Sequence, residues 1–246
     1  MTHPVKIALL SLALATAPLS AALAQTDPVA AVAQGDKLVE SGDADQLSAA
    51  LDLYLSAAEA GSVWGQYKAA EMLYEGKGVA QDRARAAELY GDAADQGNAW
   101  AQYKLGGMLL TGDGVAPLPS RAVELLDAAG GQGNIWANYQ LGDAYLQGES
   151  IPQDLTRAKF YLERAAKLNN AWALLRLGEM YRDGLGVPES LTDAKTLLEQ
   201  SAVQKNSFAM VALSELIAED EPERARALLG EAAELGNAAA QAKLAE

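Results

Sequence analysis

Between Ala99 and Leu110 the apolar residues fall at helical spacing, with Ala101, Leu105 and Met108 on one face and Ala99, Tyr103 and Leu110 beside them. Asn98 stands where an N-cap belongs, and Gly112 stands where a left-handed residue would end the helix. A second amphipathic stretch runs from about Ser120 to Ala129, with Ala122, Leu125, Leu126 and Ala129 on one face. The pattern predicts a helix, a loop of roughly four or five residues turned by Gly114, a second helix and a short turn. The next unit opens after Gly133.

The same phases recur every 36 residues. Trp64, Trp100, Trp136 and Trp172 are all the tryptophans of the chain, and Phe208 takes the fifth place. Gly61, Gly97 and Gly133 keep the interval, as do Tyr67, Tyr103 and Tyr139, and Gly76, Gly112, Gly148 and Gly184. A fixed period of this length marks stacked repeats, each unable to bury its apolar face until a neighbour covers it. Ala70, Gly106, Gly142 and Gly178 share one mid-helix phase. Glycine there costs about 1 kcal/mol against alanine, so its recurrence predicts close approach of the paired helix. The expected fold is all-α, a solenoid of about five helix–loop–helix repeats with degenerate ends.

The phases loosen towards both ends, as terminal repeats that cap a stack should. Residues 28–60 read as a shortened N-terminal hairpin, capped by Asp27, opened by Pro28 and turned at Ser41-Gly42-Asp43. Residues 61–204 hold four regular repeats. Residues 205–235 are a shortened repeat, in which Val211 replaces the tyrosine and Asp220-Glu221-Pro222 replaces the GxGV loop. Residues 236–246 are a terminal half repeat. Ahead of this single domain, 25–246, residues 1–24 read as a secretory signal peptide. Lys6 supplies the positive start, Ile7 to Leu19 the apolar run, and Ala22-Leu23-Ala24 the small-x-small cleavage site. The run is too short to span a bilayer, so the expectation is a protein that is periplasmic or secreted after cleavage, with no membrane insertion.

Export makes the missing residues informative. The chain has no cysteine, and its only histidine, His3, would leave with the leader. Serine–histidine and cysteine–histidine catalysis are thereby excluded, as are histidine and cysteine metal sites, and no cofactor is expected. The formal net charge of −14 disfavours nucleic acid and anionic lipid as partners. Carboxylate chemistry is the enzymatic route left open, with Glu71 and Glu75 or Glu179 and Asp183 as the pairs a hydrolase would use.

Counting along each first helix in steps of four, three and four from its tryptophan gives one polar stripe. The stripe runs Trp64, Lys68, Glu71, Glu75; then Trp100, Lys104, Gly107, Thr111; then Trp136, Gln140, Asp143, Gln147; then Trp172, Arg176, Glu179, Asp183. First helices line the concave face in solenoids of this kind. Two readings of the tryptophans follow. Trp64, Trp100, Trp136 and Trp172, with Lys68, Lys104, Gln140 and Arg176, form the edge of a polar groove that binds an extended peptide or glycan. Alternatively, each tryptophan only covers the second helix of the previous repeat, with the Lys or Arg four residues on, at 68, 104 and 176, lying across its ring. The GxGV loops lack the lysine and the preceding strand of a phosphate-binding loop and are read as turns.

The segments AAEAG…QYKAAEMLYEGKGVAQDRARAAELY, AADQGNAWAQYKLGGMLLTGDGV and AWALLRLGEMYRDGLGV resemble the Sel-one-like repeat, a relative of the tetratricopeptide repeat. The likeness covers most of 46–246. It implies a right-handed α/α superhelix and a non-catalytic adaptor that binds another cell-envelope protein through its concave surface. Envelope or exopolysaccharide assembly and restraint of a sensor kinase are the roles it suggests. A carbohydrate-binding protein is the alternative.

Overall fold

The computed structural model describes residues 27–245. The segment read as a signal peptide lies outside them. Among the described residues there are helices and no strands. Helices α1 (Pro28–Ser41) and α2 (Ala44–Glu59) form the first hairpin. Four pairs follow: α3 (Val63–Glu75) with α4 (Arg83–Asp95), and α5 (Ala99–Thr111) with α6 (Pro119–Gly131). Then come α7 (Ile135–Gln147) with α8 (Leu155–Lys167), and α9 (Ala171–Asp183) with α10 (Leu191–Val203). Helices α11 (Ser207–Ile217) and α12 (Pro222–Glu234) make a shorter pair, and α13 (Ala238–Leu244) follows.

Each boundary has a local cause. Ser62, Asn98, Asn134, Asn170, Asn206 and Asn237 cap the first helices, their side-chain oxygens accepting N–H groups of the opening turn; Asn98 Oδ1 accepts from Ala101 N–H at 2.9 Å. Helix α5 stops because Gly112 turns left-handed, at φ 77°, and its N–H closes on Met108 O at 2.8 Å. The loop from α5 to α6 occupies 112–118, longer than the pattern predicts. Pro117 and Pro119 disfavour helical backbone at the residues before them, and the Leu118 N–H reaches back to Leu109 O at 3.0 Å. Pro119 then opens α6 one residue ahead of Ser120.

Packing follows the small residues. A Cβ built on Gly106, Gly142 or Gly178 would lie 2.7, 2.8 or 2.8 Å from Cγ of Leu126, Leu162 or Leu198 in the paired helix. That is the close approach the recurring glycines predict. Alanines complete the seams: Ala86, Ala93, Ala101, Ala122, Ala129, Ala137, Ala158 and Ala165 have no exposed surface. The core is a ribbon running along the stack, from Leu47 to Val187, continued by a second patch from Leu175 to Ala240. No helix is long and apolar enough to cross a membrane among the described residues.

Helices touch mainly their sequence neighbours, as in any solenoid. First helices also touch the first helices of adjacent repeats, α1 with α3, α5 with α7, α7 with α9 and α9 with α11. Successive second helices do so less. The stack therefore bends towards its first helices, whose polar stripes face the inner side of the curve.

Candidate functional site

Trp64, Trp100 and Trp136 stand in the first turns of α3, α5 and α7 with 51%, 45% and 43% of their surface exposed. Each is braced edge-on by the tyrosine three residues later, Tyr67, Tyr103 and Tyr139, with ring centroids 5.9, 6.4 and 6.4 Å apart. The fourth is different. Trp172 is half-buried under Phe208 of the next repeat, with centroids 5.4 Å apart, and Phe208 carries the exposure in its place. The row of open indole faces is therefore three long.

The cations of the stripe do not cover the tryptophans. Lys68 reaches back to Asp36 of α1 at 2.8 Å, Lys104 to Glu71 of α3 at 2.9 Å, and Arg176 to Asp143 of α7 at 2.9 Å. Where one of these stripe cations lies over a ring, the ring is a tyrosine of the preceding repeat: Lys68 over Tyr54 and Lys104 over Tyr74, both 5.8 Å from the centroid. A carboxylate in reach attracts an ammonium more strongly than a ring face does. That overturns the local cation–π arrangement but leaves the tryptophan faces free. The fourth member, Gln140, is neutral, and the position that would supply its carboxylate is Gly107.

Second helices feed the same carboxylates. The Tyr54 hydroxyl donates to Asp36 at 2.6 Å, and the buried Tyr90 hydroxyl donates to Glu71. Burial, reinforced by these carboxylates, pushes both phenols well above the ordinary tyrosine range. Burial pushes Asp36 up as well, but the bonds from Lys68 and Tyr54 outweigh it and hold its carboxyl low. In α9, Glu179 pairs with Arg176 at 3.1 Å, and Asp183 takes a two-pronged bond from Arg182 at 2.7 and 2.9 Å that keeps its carboxyl low. Glu71, Glu179 and Asp183 are thus each committed to a neighbouring cation, as structural ion pairs are.

Two equivalent clefts open on this face, one repeat apart. The first, about 180 Å³, lies among Tyr54, Tyr67, Lys68, Glu71 and Glu75. The second, about 370 Å³, lies among Tyr90, Tyr103, Lys104, Gly107, Thr111 and Gln140. Sequence reasoning singled out the stripe residues but did not see that they meet across repeats. The spacing of 33 residues between Glu71 and Lys104, and between Asp143 and Arg176, was the available signal.

The turns of the GxGV loops also have a packing role. Gly114 sits against the backbone and Cβ of Arg83 at the start of α4, leaving no room for a side chain. Arg83 and the Tyr74 hydroxyl both bond Asp113 between the loop glycines, tying this loop to the repeat before it.

An all-α stack of short hairpins with a polar inner face and an aromatic edge defines a helical-repeat scaffold. The Sel1 repeat profile matches residues 37–62, 65–98, 101–134, 137–170, 173–206 and 216–237, and the chain belongs to the Sel1 repeat family. Proteins built of these repeats are in general scaffolds for protein–protein interaction. The fold is similar to that of a Sel1 repeat protein from Oxalobacter formigenes, 26% identical, with a TM-score of 0.76 over 92% of this chain and 67% of that one. It is also similar to c5321, a protective antigen present in uropathogenic Escherichia coli strains that displays an SLR fold. That protein is 27% identical, with a TM-score of 0.63 over 91% of this chain and 57% of its own. No curated protein matches the chain at a significant level.

Proposed function

We propose that the protein is an exported, non-catalytic adaptor that holds a partner protein of the cell envelope along its concave face. One observation carries the reading: Trp64, Trp100 and Trp136 present open indole faces in register beside a groove whose stripe cations Lys68, Lys104 and Arg176 are already paired. Exposed aromatics of this size in a row are costly to leave to water and are the residue type that anchors protein interfaces. The paired charges beneath add polar contacts without a strong net field, so affinity would come from the aromatic row and specificity from the groove. Residence in the periplasm follows from the signal-peptide reading of residues 1–24 and is part of the same proposal.

The test is crosslinking in intact cells followed by mass spectrometry, comparing wild type with a folded Trp100→Ala/Trp136→Ala variant. The reading expects one envelope protein captured by wild type and lost from the variant. Equal capture by both would remove the tryptophan row from the interface. Amino-terminal sequencing of the protein recovered from cells tests export separately: a mature chain that starts near Gln25 is expected, and an intact leader in the cytosol would overturn it.

A further inference from the structure

The second helices of five successive repeats end on residues spaced 36 apart: Glu59, Asp95, Gly131, Lys167 and Val203 close α2, α4, α6, α8 and α10. Charge along this row runs from acidic, through glycine, to basic and then apolar. One turn earlier the trend recurs, with Asp92 in α4 and Arg164 at the same phase in α8. Asp95 lies opposite the buried Ala86, Tyr90 and Ala93 of its helix, and Lys167 opposite the buried Ala158, Leu162 and Ala165 of its own. The row therefore follows the outer rim of the stack, away from the concave face.

The stability of a single chain does not call for this arrangement. A carboxylate at a helix C-terminus faces the negative end of the helix dipole, yet Glu59, Asp92 and Asp95 stand in last turns that hold no basic residue. Asp95 meets Arg121 at 3.0 Å in a pair that is largely in water, whereas Glu59, Asp92 and Lys167 have no ion partner among the described residues. Gly131 is as unexplained. Its backbone is not left-handed and a Cβ there would meet nothing within 4 Å, so alanine would suit α6 better. Exposed apolar side chains gather at the basic end of the rim, where Phe160 is 53% exposed and Val203 81%. Unmatched charges of graded sign beside open apolar surface fit a face that another molecule covers.

We propose that the molecule is a second copy of this chain, and that the rim forms an antiparallel homodimer whose two-fold axis passes beside Gly131. The reversal sets Asp95 and Asp92 of each copy against Lys167 and Arg164 of the other, and brings Glu59 towards Val203 and the nearby Lys205. A parallel pairing would oppose like charges, so the graded row selects the antiparallel one. Two-fold symmetry makes each contact twice. The stack bends towards its first helices, so two copies set back to back touch near the middle of the row, where glycine lets the helix ends approach. Both concave faces stay open, and the dimer is a bivalent scaffold. The inference stands whatever the concave face binds.

The experiment is analytical ultracentrifugation of the protein recovered from cells, over a concentration series. Wild type should show a monomer–dimer equilibrium that salt weakens. Lys167→Glu and Asp95→Lys should each raise the dissociation constant by about tenfold or more, since either sets like charges together twice. Combined, the two changes exchange the signs and should restore the dimer, a rescue that misfolding of either variant could not produce. Circular dichroism checks that every variant stays helical. Gly131→Cys gives the chain its only thiol, and a short bismaleimide should link two copies through it, whereas Gly230→Cys in α12 should stay unlinked. A wild type that is monomeric at every concentration overturns the dimer and leaves the concave-face reading standing. A combined variant no better than the single ones, or a dimer linked through Gly230→Cys and not through Gly131→Cys, overturns the antiparallel rim.

Discussion

Lys104 of α5 reaches across the repeat boundary to Glu71 of α3, its Nζ 2.9 Å from the carboxylate that also accepts the Tyr90 hydroxyl. The contact joins a first helix to both helices of the preceding repeat. Both side chains are roughly seven-tenths shielded from solvent. A double-mutant cycle with Lys104→Met and Glu71→Gln should give a coupling of about 0.5–1 kcal/mol, the upper end for surface pairs. The Lys104→Met change alone should lower the urea midpoint without altering the slope. A coupling of zero would mean that the stack is held by its apolar seams alone.

Gly142 and Gly230 both lie inside helices, yet substitution to alanine should move stability in opposite directions. A Cβ on Gly142 would sit 2.8 Å from Leu162 Cγ and 3.0 Å from Leu162 N, so the α7–α8 pair must spread. Gly142→Ala should destabilise by about 1–3 kcal/mol despite the better helix propensity. A Cβ on Gly230 in α12 meets nothing within 4 Å. Gly230→Ala should therefore stabilise by about 0.5–1 kcal/mol. Urea unfolding of the two single variants checks the pair of signs.

The period, the caps and the small residues were legible because each acts within one repeat and recurs at a fixed offset. Asn98 and Gly112 mark their helix ends, and Gly142 marks the close seam, with no knowledge of the neighbouring repeat. What the sequence left open lies between repeats. That Lys104 meets Glu71 rather than Trp100 depends on how far one hairpin slides along the last, and a period does not carry that offset. Nor does it show that Phe208 covers Trp172 while Trp100 and Trp136 stay open. The loop at 112–118 runs longer than four or five residues because Pro117 and Pro119 disfavour helix at the residues before them, an effect that the glycine spacing alone does not carry.

Stability should fall off at both ends of the pH scale, for different groups. Bonds from Lys68 and Tyr54 outweigh burial to hold the Asp36 carboxyl low, and bonds from Arg182 hold that of Asp183 low. Their contribution is complete above the ordinary carboxylate range and is lost as pH drops through the lowered folded values. Tyrosines act in the opposite sense. Burial and the 2.9 Å bond to Asp127 push the Tyr161 hydroxyl up to about 12, and Tyr54, Tyr67 and Tyr90 shift the same way. Above about pH 10 the unfolded chain releases phenolic protons that the folded chain keeps, so unfolding becomes easier as pH rises. Urea midpoints across the scale should show a plateau bounded by these two limbs. Tyr161→Phe, which removes one of the shifted groups, should soften the alkaline limb alone.

Lys205 carries a backbone conformation that its side chain resists. It occupies the turn after α10 with φ 64°, the place held by Gly61, Gly97 and Gly133 at φ 82°, 87° and 88° in earlier repeats. A non-glycine residue held left-handed there costs about 1 kcal/mol. Part of that cost is offset where Lys205 Nζ pairs with Glu231 at 3.1 Å, but both side chains are more than half exposed and such a pair contributes little. Lys205→Gly should therefore stabilise by about 0.5 kcal/mol, even after the greater freedom of glycine in the unfolded chain. Asn169, at φ 62° in the preceding turn, is the control. Asparagine adopts this conformation readily, and Asn169 Oδ1 also accepts from Gln204 at 3.2 Å, so Asn169→Gly should be neutral or slightly destabilising. Urea midpoints of the two variants decide the point, and a larger gain at 169 than at 205 would refute backbone strain as the cause.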